Sequence, residues 1–219
     1  MKKLFTILFV ILGLNAFAQE AMTEGIIKTK TTMSSPNAEV NAQFAMIGDI
    51  LSVTYFKDGF TRTETSNVMT GNSVAVIDSN AKEMLMYMDN MAGKVYMKNS
   101  YEPSEEDLKD ITVEKTGETK DILGYSCAKY VTTISKNGAT VKMDIYATDK
   151  LAAVSNQTTS FGDTIKGYPL LMEMKMNQGG MDMVITMEVT EIKKESVSSD
   201  KFDLTPPDGY KQVDKLGGM

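Results

Sequence analysis

Two short stretches of the chain carry the spacing of a serine nucleophile followed by a lysine base. Ser79 and Lys82 form one S-x-x-K pattern, Ser198 and Lys201 form another, and residues 115–117 supply a K-T-G triplet. In serine acyl-transfer enzymes the serine starts a buried helix and an S-D-N triplet lies nearby. Here Ser79 is expected at a turn between strands, Ser198 lies near the C-terminus, and S-D-N does not occur. Motifs without their structural context are weak signals, so we expect no catalytic residue and no enzymatic activity.

Histidine is absent from the sequence, and Cys127 is the only cysteine. Histidine is the commonest general base and the commonest metal ligand, so both chemistries lack their usual side chain. A cysteine nucleophile also needs an activating partner, a role that imidazole normally fills. We therefore interpret Cys127 as a small, part-buried strand residue, with an intermolecular disulfide as the alternative. We expect no metal site and no cofactor.

The first eighteen residues predict export. Lys2 and Lys3 precede an apolar run from Leu4 to Leu14, and residues 16–18 supply the small side chains that a signal peptidase reads. The run is too short to remain as a membrane span. We expect a signal peptide over residues 1–18 and a protein located in the periplasm or outside the cell. Because the residue directly after the cleavage site is Gln19 and not cysteine, we expect no lipid anchor and no stable membrane anchor.

Charge and composition narrow the class of protein further. Removing Lys2 and Lys3 takes the formal net charge from −6 to −8, and the chain has no basic run. Such a chain is poorly suited to nucleic acids or anionic lipid surfaces, so we expect no nucleic-acid partner. With 42% hydrophobic residues it can build a core. We expect a single β-rich domain over residues 19–210 and a flexible tail over 211–219; the oligomeric state stays open.

Alternating apolar and polar residues predict β-hairpins, and the clearest runs from Leu170 to Val189 around Gly179-Gly180. Side chains of a strand point to opposite faces with period two, and Gly-Gly suits a two-residue loop. Because every facing pair is then apolar and the other face is mostly polar, the register is well specified. The predicted pairs are Met176 with Met183, Met174 with Ile185, Met172 with Met187, and Leu170 with Val189.

Two other turns predict hairpins. Asn137-Gly138 is typical of a type I′ turn, which would pair Ile134 with Val141, Thr132 with Met143, and Tyr130 with Ile145. Asp58-Gly59 allows two registers. A two-residue loop sets Tyr55 beside Arg62 and Val53 beside Glu64, whereas a three-residue loop with a bulge sets Phe56 against Phe60 and Val53 against Thr63. We expect the three-residue loop.

Helices are expected to be few. Ser35 can cap a helix, Pro36 suits its first turn, and Gly48 can end it, while Val40, Phe44 and Ile47 recur at i, i+4 and i+7. Acidic residues after Ser104 are typical of a short capped helix, and residues 199–204 of a last helical turn. Further strands are expected at 25–33, 73–78, 82–88, 94–98 and 111–118, with a shorter one at 151–155.

These elements predict a mainly β (α+β) fold. A large curved antiparallel sheet, or half-open barrel, would wrap one amphipathic helix and short helical segments, because the apolar sheet face must be hidden from water. A closed barrel or a sandwich would satisfy the same pattern.

Three stretches resemble a domain-of-unknown-function family of exported bacterial proteins: residues 122–130 (ILGYSCAKY), residues 167–170 (GYPL), and residues 202–206 (FDLTP) followed by Gly209-Tyr210. The resemblance is closer in the second half of the chain and brings no catalytic residue with it. That family is similar in shape to periplasmic lipoprotein carriers. The similarity implies a half-open barrel with an apolar concave face that could hold a lipid, an acyl chain or a lipidated partner, although a fold does not fix a function.

Methionine is unusually frequent, with 18 in the chain. Thioether side chains are flexible and polarizable, so they can line a deformable groove for acyl chains or simply fill a core. They also suit Cu(I), but histidine is missing and the methionines lie where a core is needed. The candidate ligand-binding residues are Met172, Met174, Met176, Met183, Ile185, Met187 and Phe44.

We therefore expect a non-enzymatic exported protein that binds or carries a hydrophobic ligand on a methionine-rich concave sheet face. The alternative is an envelope interaction or structural protein with no small ligand. Copper handling is a minor alternative. The sequence identifies no particular ligand.

Overall fold

The computed structural model describes residues 20–67, 71–90, 93–136, 139–178 and 181–216. The predicted signal peptide therefore lies outside the described residues, as do Asn137-Gly138 and Gly179-Gly180. The fold is mainly β and forms one curved, unclosed sheet of twelve strands in the order β12-β6-β5-β4-β3-β2-β1-β11-β10-β9-β8-β7. The predicted half-open sheet is confirmed.

The strands are β1 (Glu24–Ser34), β2 (Ile50–Lys57), β3 (Phe60–Asn67), β4 (Gly71–Asp78), β5 (Glu83–Asn90), β6 (Gly93–Ser100), β7 (Ile111–Ile122), β8 (Tyr125–Lys136), β9 (Ala139–Thr148), β10 (Tyr168–Gln178), β11 (Met181–Lys193) and β12 (Lys211–Gln212). The helices are α1 (Ala38–Ile47) and α2 (Glu105–Leu108), with short 3-10 helices at Thr159–Thr164 and Ser199–Phe202.

Two predicted hairpin registers are confirmed. In β10–β11, Met176 lies opposite Met183, Met174 opposite Ile185, and Met172 opposite Met187. In β8–β9, Ile134 lies opposite Val141, Thr132 opposite Met143, and Tyr130 opposite Ile145. Both hairpins therefore place their apolar residues on one common face of the sheet.

The expected three-residue loop between β2 and β3 is wrong. Tyr55 lies opposite Arg62, and Lys57 opposite Phe60, so the loop contains only Asp58 and Gly59. Both loop residues have positive φ, 49° and 89°. Aspartate tolerates the left-handed region, and two successive positive φ angles form the type I′ turn that matches the twist of a hairpin. No bulge is then needed.

The chain path requires the sheet to curve. Strands β6 and β7 are ten steps apart in the sheet order. Neighbouring strands lie ~4.8 Å apart, so a flat sheet would separate β6 from β7 by ~48 Å. Residues 101–110 join these strands and include the helical turn α2. Such a segment reaches only ~30 Å, so the two sides of the sheet must bend towards each other.

The segment that links β9 to β10, residues 149–167, crosses the concave face. The backbone N–H of Val154 donates to Oγ1 of Thr61 on β3 (3.0 Å), and that of Lys166 donates to the hydroxyl of Tyr130 on β8 (3.3 Å). Between them the 3-10 helix buries Phe161 against Tyr130 and neighbouring core residues. The crossover thus contacts both halves of the sheet on the concave face. It fills the end of that face where Phe161 packs against Tyr130, and we call this the closed end.

The strand expected at 151–155 is replaced by this crossover, in which Leu151 makes only an isolated bridge to Met22. On the outer face, residues 194–213 run back across the first half of the sheet. Val197 and Phe202 of this segment cover Val76 and Leu85, which are fully buried. Lys211 and Gln212 then pair in parallel with β6 as β12, and the flexibility of the tail over residues 211–219 stays a prediction.

The cap of helix α1 lies two residues after the expected one. Asn37, not Ser35, accepts hydrogen bonds from the backbone N–H groups of Glu39 and Val40, because it directly precedes the first helical residue. Gly48 ends the helix with φ 70°, as predicted. For α2, the Ser104 hydroxyl and the Asp107 side chain form the predicted capping arrangement.

Candidate functional site

The six candidate residues on β10 and β11 lie on the concave face but differ in burial. Met172 and Met187 are 6% and 8% exposed, and they pack in a cluster with Phe161 of the crossover. These two side chains therefore belong to the core of the closed end. The remaining four candidates, Met174, Met176, Met183 and Ile185, are half-buried and lie farther from the crossover along the same strands.

Neighbouring strands extend the half-buried part of this face. Met33 of β1 lies opposite Ile185, and Met143 of β9 lies opposite Met174. Directly paired residues share a face of the sheet, so Met33 joins the candidate residues of the hairpin. Met143 is buried and belongs to the core, so the half-buried residues of this row end at Met174.

The other half of the sheet repeats the arrangement. Met86 on β5 lies opposite Met97 on β6, and the row continues inward through Ala75 and Thr63 to Thr54. Met88 lies two residues beyond Met86 and shares its face. The concave face therefore carries methionine on both halves of the sheet, and we call this half-buried part of the face the trough. We call its half-buried members the trough methionines: Met33, Met86, Met88, Met97, Met174, Met176 and Met183.

Between the two methionine-lined sides, the middle of the sheet carries paired hydroxyl groups. Thr54 and Thr63 hydrogen-bond through their Oγ1 atoms (2.9 Å), and Ser52 bonds Thr65 in the same way (2.8 Å). The Tyr168 hydroxyl donates to Oγ1 of Thr54 (3.3 Å), and burial raises the pKa of this tyrosine. We call Ser52, Thr54, Thr63 and Thr65 the hydroxyl strip. Because these hydroxyl groups bond one another, the strip needs no polar ligand to complete its hydrogen bonds.

Phe44, the seventh candidate, is half-buried on α1. This helix packs against β1, and none of its residues is fully buried. The Asn67 amide of β3 donates to the carbonyl oxygen of Ile47 (3.1 Å), which ties the end of the helix to the sheet. Met46 is 79% exposed. The role of Phe44 as a ligand contact stays a prediction.

A hollow of about 490 Å³ lies at the tip of the β10–β11 hairpin. Met176 and Met183 take part in its lining, together with Pro36 before α1. The remaining lining residues, which include Lys142 and Lys175, alternate with the methionines and therefore belong to the outer face. This hollow borders the trough at the hairpin tip, shares Met176 and Met183 with it, and has a mainly apolar lining surface.

The residues with possible chemical roles are placed in structural positions. The Ser79 hydroxyl donates to the Gly59 carbonyl oxygen (2.7 Å) in the predicted turn, and Lys82 pairs with Glu102. Cys127 is buried on β8, and burial raises its thiol pKa to about 11.

Among the described residues, no three His, Cys, Asp or Glu side chains are grouped closely enough to hold a metal ion together. In the same part of the chain, no helix has the length and apolar character needed to cross a membrane.

The candidate residues from the sequence did not include five contributors to this face: Phe161, Met33, Met86, Met88 and Met97. Met97 and Met33 could have been found, because each belongs to a strand with period-two alternation whose partner strand was also predicted. Phe161 carries no such signal. It lies in an irregular connection, and only the chain path across the concave face gives this side chain its position.

Comparison with known proteins places the fold in a family. A family model described as "Domain of unknown function (DUF4412)" matches residues 24–210. No curated protein matches the chain. A solved structure titled "Structure of PNGF-II in C2 space group" is similar over 87% of this chain and 31% of that chain, with 18% sequence identity and a TM-score of 0.49. This chain therefore spans about a third of the length of that protein.

Proposed function

Because the chain belongs to the DUF4412 family, a family defined by its domain rather than by an activity, we propose a function from the geometry of the trough. The protein is an exported, non-enzymatic binding protein that holds the alkyl part of a lipid or another acyl-chain ligand along the trough methionines. The ligand lies against the concave face beyond the crossover, where the methionine rows of β10–β11 and β5–β6 flank the hydroxyl strip.

One observation carries this proposal. At the closed end, Phe161 covers the concave face and reduces Met172 and Met187 to less than 10% exposure. Farther along the same two strands, Met174 and Met183 keep partial exposure. An apolar sheet face is normally hidden from water. The uncovered stretch therefore fits an apolar ligand that supplies the missing cover.

The chemistry of the lining favours an alkyl chain over a polar ligand. Methionine side chains adapt to ligands of variable shape, and the hydroxyl groups of the strip are already paired with each other. The absence of histidine and the buried, high-pKa thiol of Cys127 support a binding role over a catalytic one.

The first test measures ligands that accompany the purified protein. Protein purified from bacteria is analysed by native mass spectrometry for bound lipid, and then titrated with a fluorescent fatty acid such as 11-dansylaminoundecanoic acid. We expect retained lipid and saturable probe binding that unlabelled fatty acid displaces. Protein that carries no lipid and ignores the probe would refute the proposal and favour an interaction or structural role without a small ligand.

A matched pair of double variants tests the location of the site. Met174→Gln with Ile185→Gln changes a directly facing pair in the trough, and Glu173→Gln with Thr186→Gln changes the adjacent facing pair on the outer face. Each amide placed against an alkyl chain costs about 1–2 kcal/mol, so the trough variant, with two amides, should bind the probe about 30-fold to 1,000-fold more weakly. The outer variant should match the original protein. Circular dichroism and urea unfolding verify that both variants fold; equal affinities for the two variants would place the ligand elsewhere.

A further inference from the structure

Burial separates the methionines of the core from the trough methionines, which have more access to solvent. Met84, Met143, Met172 and Met187 are at most 9% exposed, and all four belong to the core. The trough methionines are half-buried and face the open side of the sheet. A water-soluble oxidant therefore meets the thioethers of the trough before it meets those of the core.

We propose that the trough methionines are sites of sulfoxidation, and that their oxidation releases the apolar ligand while the fold persists. This inference rests on the proposed function of the same trough. The oxidant is a peroxide of the hydrogen peroxide class. A thioether lone pair attacks one peroxide oxygen, an S–O bond forms and the O–O bond breaks. Sulfur is oxidised by two electrons to the sulfoxide, and the peroxide is reduced to water.

The consequence for ligand binding follows from the change in polarity. A sulfoxide carries a strong hydrogen-bond acceptor where the thioether had an apolar surface, and an alkyl chain offers that acceptor no donor. In the free protein, water can solvate the sulfoxides because the trough methionines are only half-buried. Oxidation therefore destabilises the ligand-bound protein far more than the ligand-free protein, so the affinity for the ligand falls. Sulfoxide reductases restore the thioether, which makes the change reversible.

The alternative target for an oxidant is the single thiol, and its position protects it. Cys127 is fully buried on β8, and its Sγ approaches the Tyr125 carbonyl oxygen (3.5 Å). Oxidation of thiols proceeds through the exposed thiolate, which this site disfavours. Methionines thus carry the response to peroxide. Because the buried methionines of the closed end remain reduced, the core that holds the sheet together is preserved.

The experiment follows oxygen uptake, probe affinity and folding in the same samples. The full chain is treated with graded hydrogen peroxide, and peptide mass spectrometry locates each added oxygen. We expect the trough methionines to be oxidised before Met143, Met172 and Met187, the affinity for 11-dansylaminoundecanoic acid to fall roughly 100-fold, and the far-ultraviolet circular dichroism to stay unchanged. Oxidation of the buried group first, or unfolding that accompanies the first oxygens, would overturn the inference.

Two variants separate release from damage elsewhere. One replaces all seven trough methionines by leucine, a swap that cores tolerate well, and should bind the probe equally before and after peroxide. The control, Met46→Leu, removes a highly exposed methionine of α1 that is not one of the trough methionines, and it should stay sensitive to peroxide. If untreated protein binds no probe, the proposed function fails and the release step fails with it. The positions of the added oxygens then still decide whether the trough methionines are the modified sites.

Discussion

The hydroxyl of Thr132 is a built-in defect of the core, and its removal should stabilise the protein. Thr132 lies on β8 with its side chain fully buried between Met143 on β9 and Val113 on β7. Its Oγ1 has no hydrogen-bond partner among the described residues. A buried hydroxyl without a partner loses its hydration and gains nothing in return, at a cost of about 1–3 kcal/mol.

Thr132→Val replaces this hydroxyl by a methyl group of similar shape, so the packing is kept and the desolvation cost disappears. We expect the free energy of unfolding to rise by about 1–2 kcal/mol. For a domain of about 200 residues this corresponds to an increase in Tm of about 2–8 °C. Urea unfolding followed by circular dichroism, together with calorimetry, measures both quantities.

Thr54→Val is the matched control, because Thr54 is also buried on the concave face, but its hydroxyl bonds Thr63 and accepts from Tyr168. The same substitution here leaves buried partners unsatisfied and should lower the free energy of unfolding by about 1–3 kcal/mol. The two variants should therefore shift stability in opposite directions. A destabilised Thr132→Val protein, or two shifts of the same sign, would refute the reasoning about paired and unpaired hydroxyls.

Two further predictions concern the crossover and the outer segment. Phe161→Ala should lower the free energy of unfolding by about 3–5 kcal/mol because it empties the closed end, whereas Phe161→Leu should cost less than about 1.5 kcal/mol; chemical denaturation measures both, and equal losses would contradict the packing role. The Glu24 carboxylate accepts from the backbone N–H of Val197 (2.7 Å) and from Lys57 (3.0 Å), which lowers its pKa below the ordinary 4.5. A lowered folded-state pKa gives stability that is present above about pH 4.5 and is lost as the pH falls through the folded-state value, so Tm should drop in acid and Glu24→Gln should flatten that drop. An unchanged acid slope in Glu24→Gln would assign the effect to other carboxylates.

The hairpins show how far sequence reasoning reaches in this fold. In β10–β11, apolar alternation and the Gly-Gly turn require the same register, so the pairing of Met174 with Ile185 follows from the sequence. Around Asp58 the alternation is weaker, since Thr61 and Thr63 on the buried face are polar. The register there depends on Asp58 adopting a positive φ, which residue type permits but does not require.

The filling of the concave face could not be predicted in the same way. Periodicity detects regular elements, whereas the cover of the closed end comes from an irregular crossover held by hydrogen bonds from Val154 and Lys166 to distant strands. The half-buried state of Met174, beside the buried Met172, likewise depends on where that crossover ends. Sequence therefore identified the methionine face, and only the chain path divides it into core and trough.

The outer segment, residues 194–213, has a consequence for the order in which the chain can complete its structure. Val76 and Leu85 belong to strands made early in synthesis, but the side chains that shelter them, Val197 and Phe202, are made near the end. Until those last residues leave the ribosome, the apolar side chains of Val76 and Leu85 stay exposed to water, because their long-range contacts cannot yet form. The half of the sheet that is synthesised first is thus the last to be covered. A chain that is still emerging from the ribosome therefore remains incompletely folded.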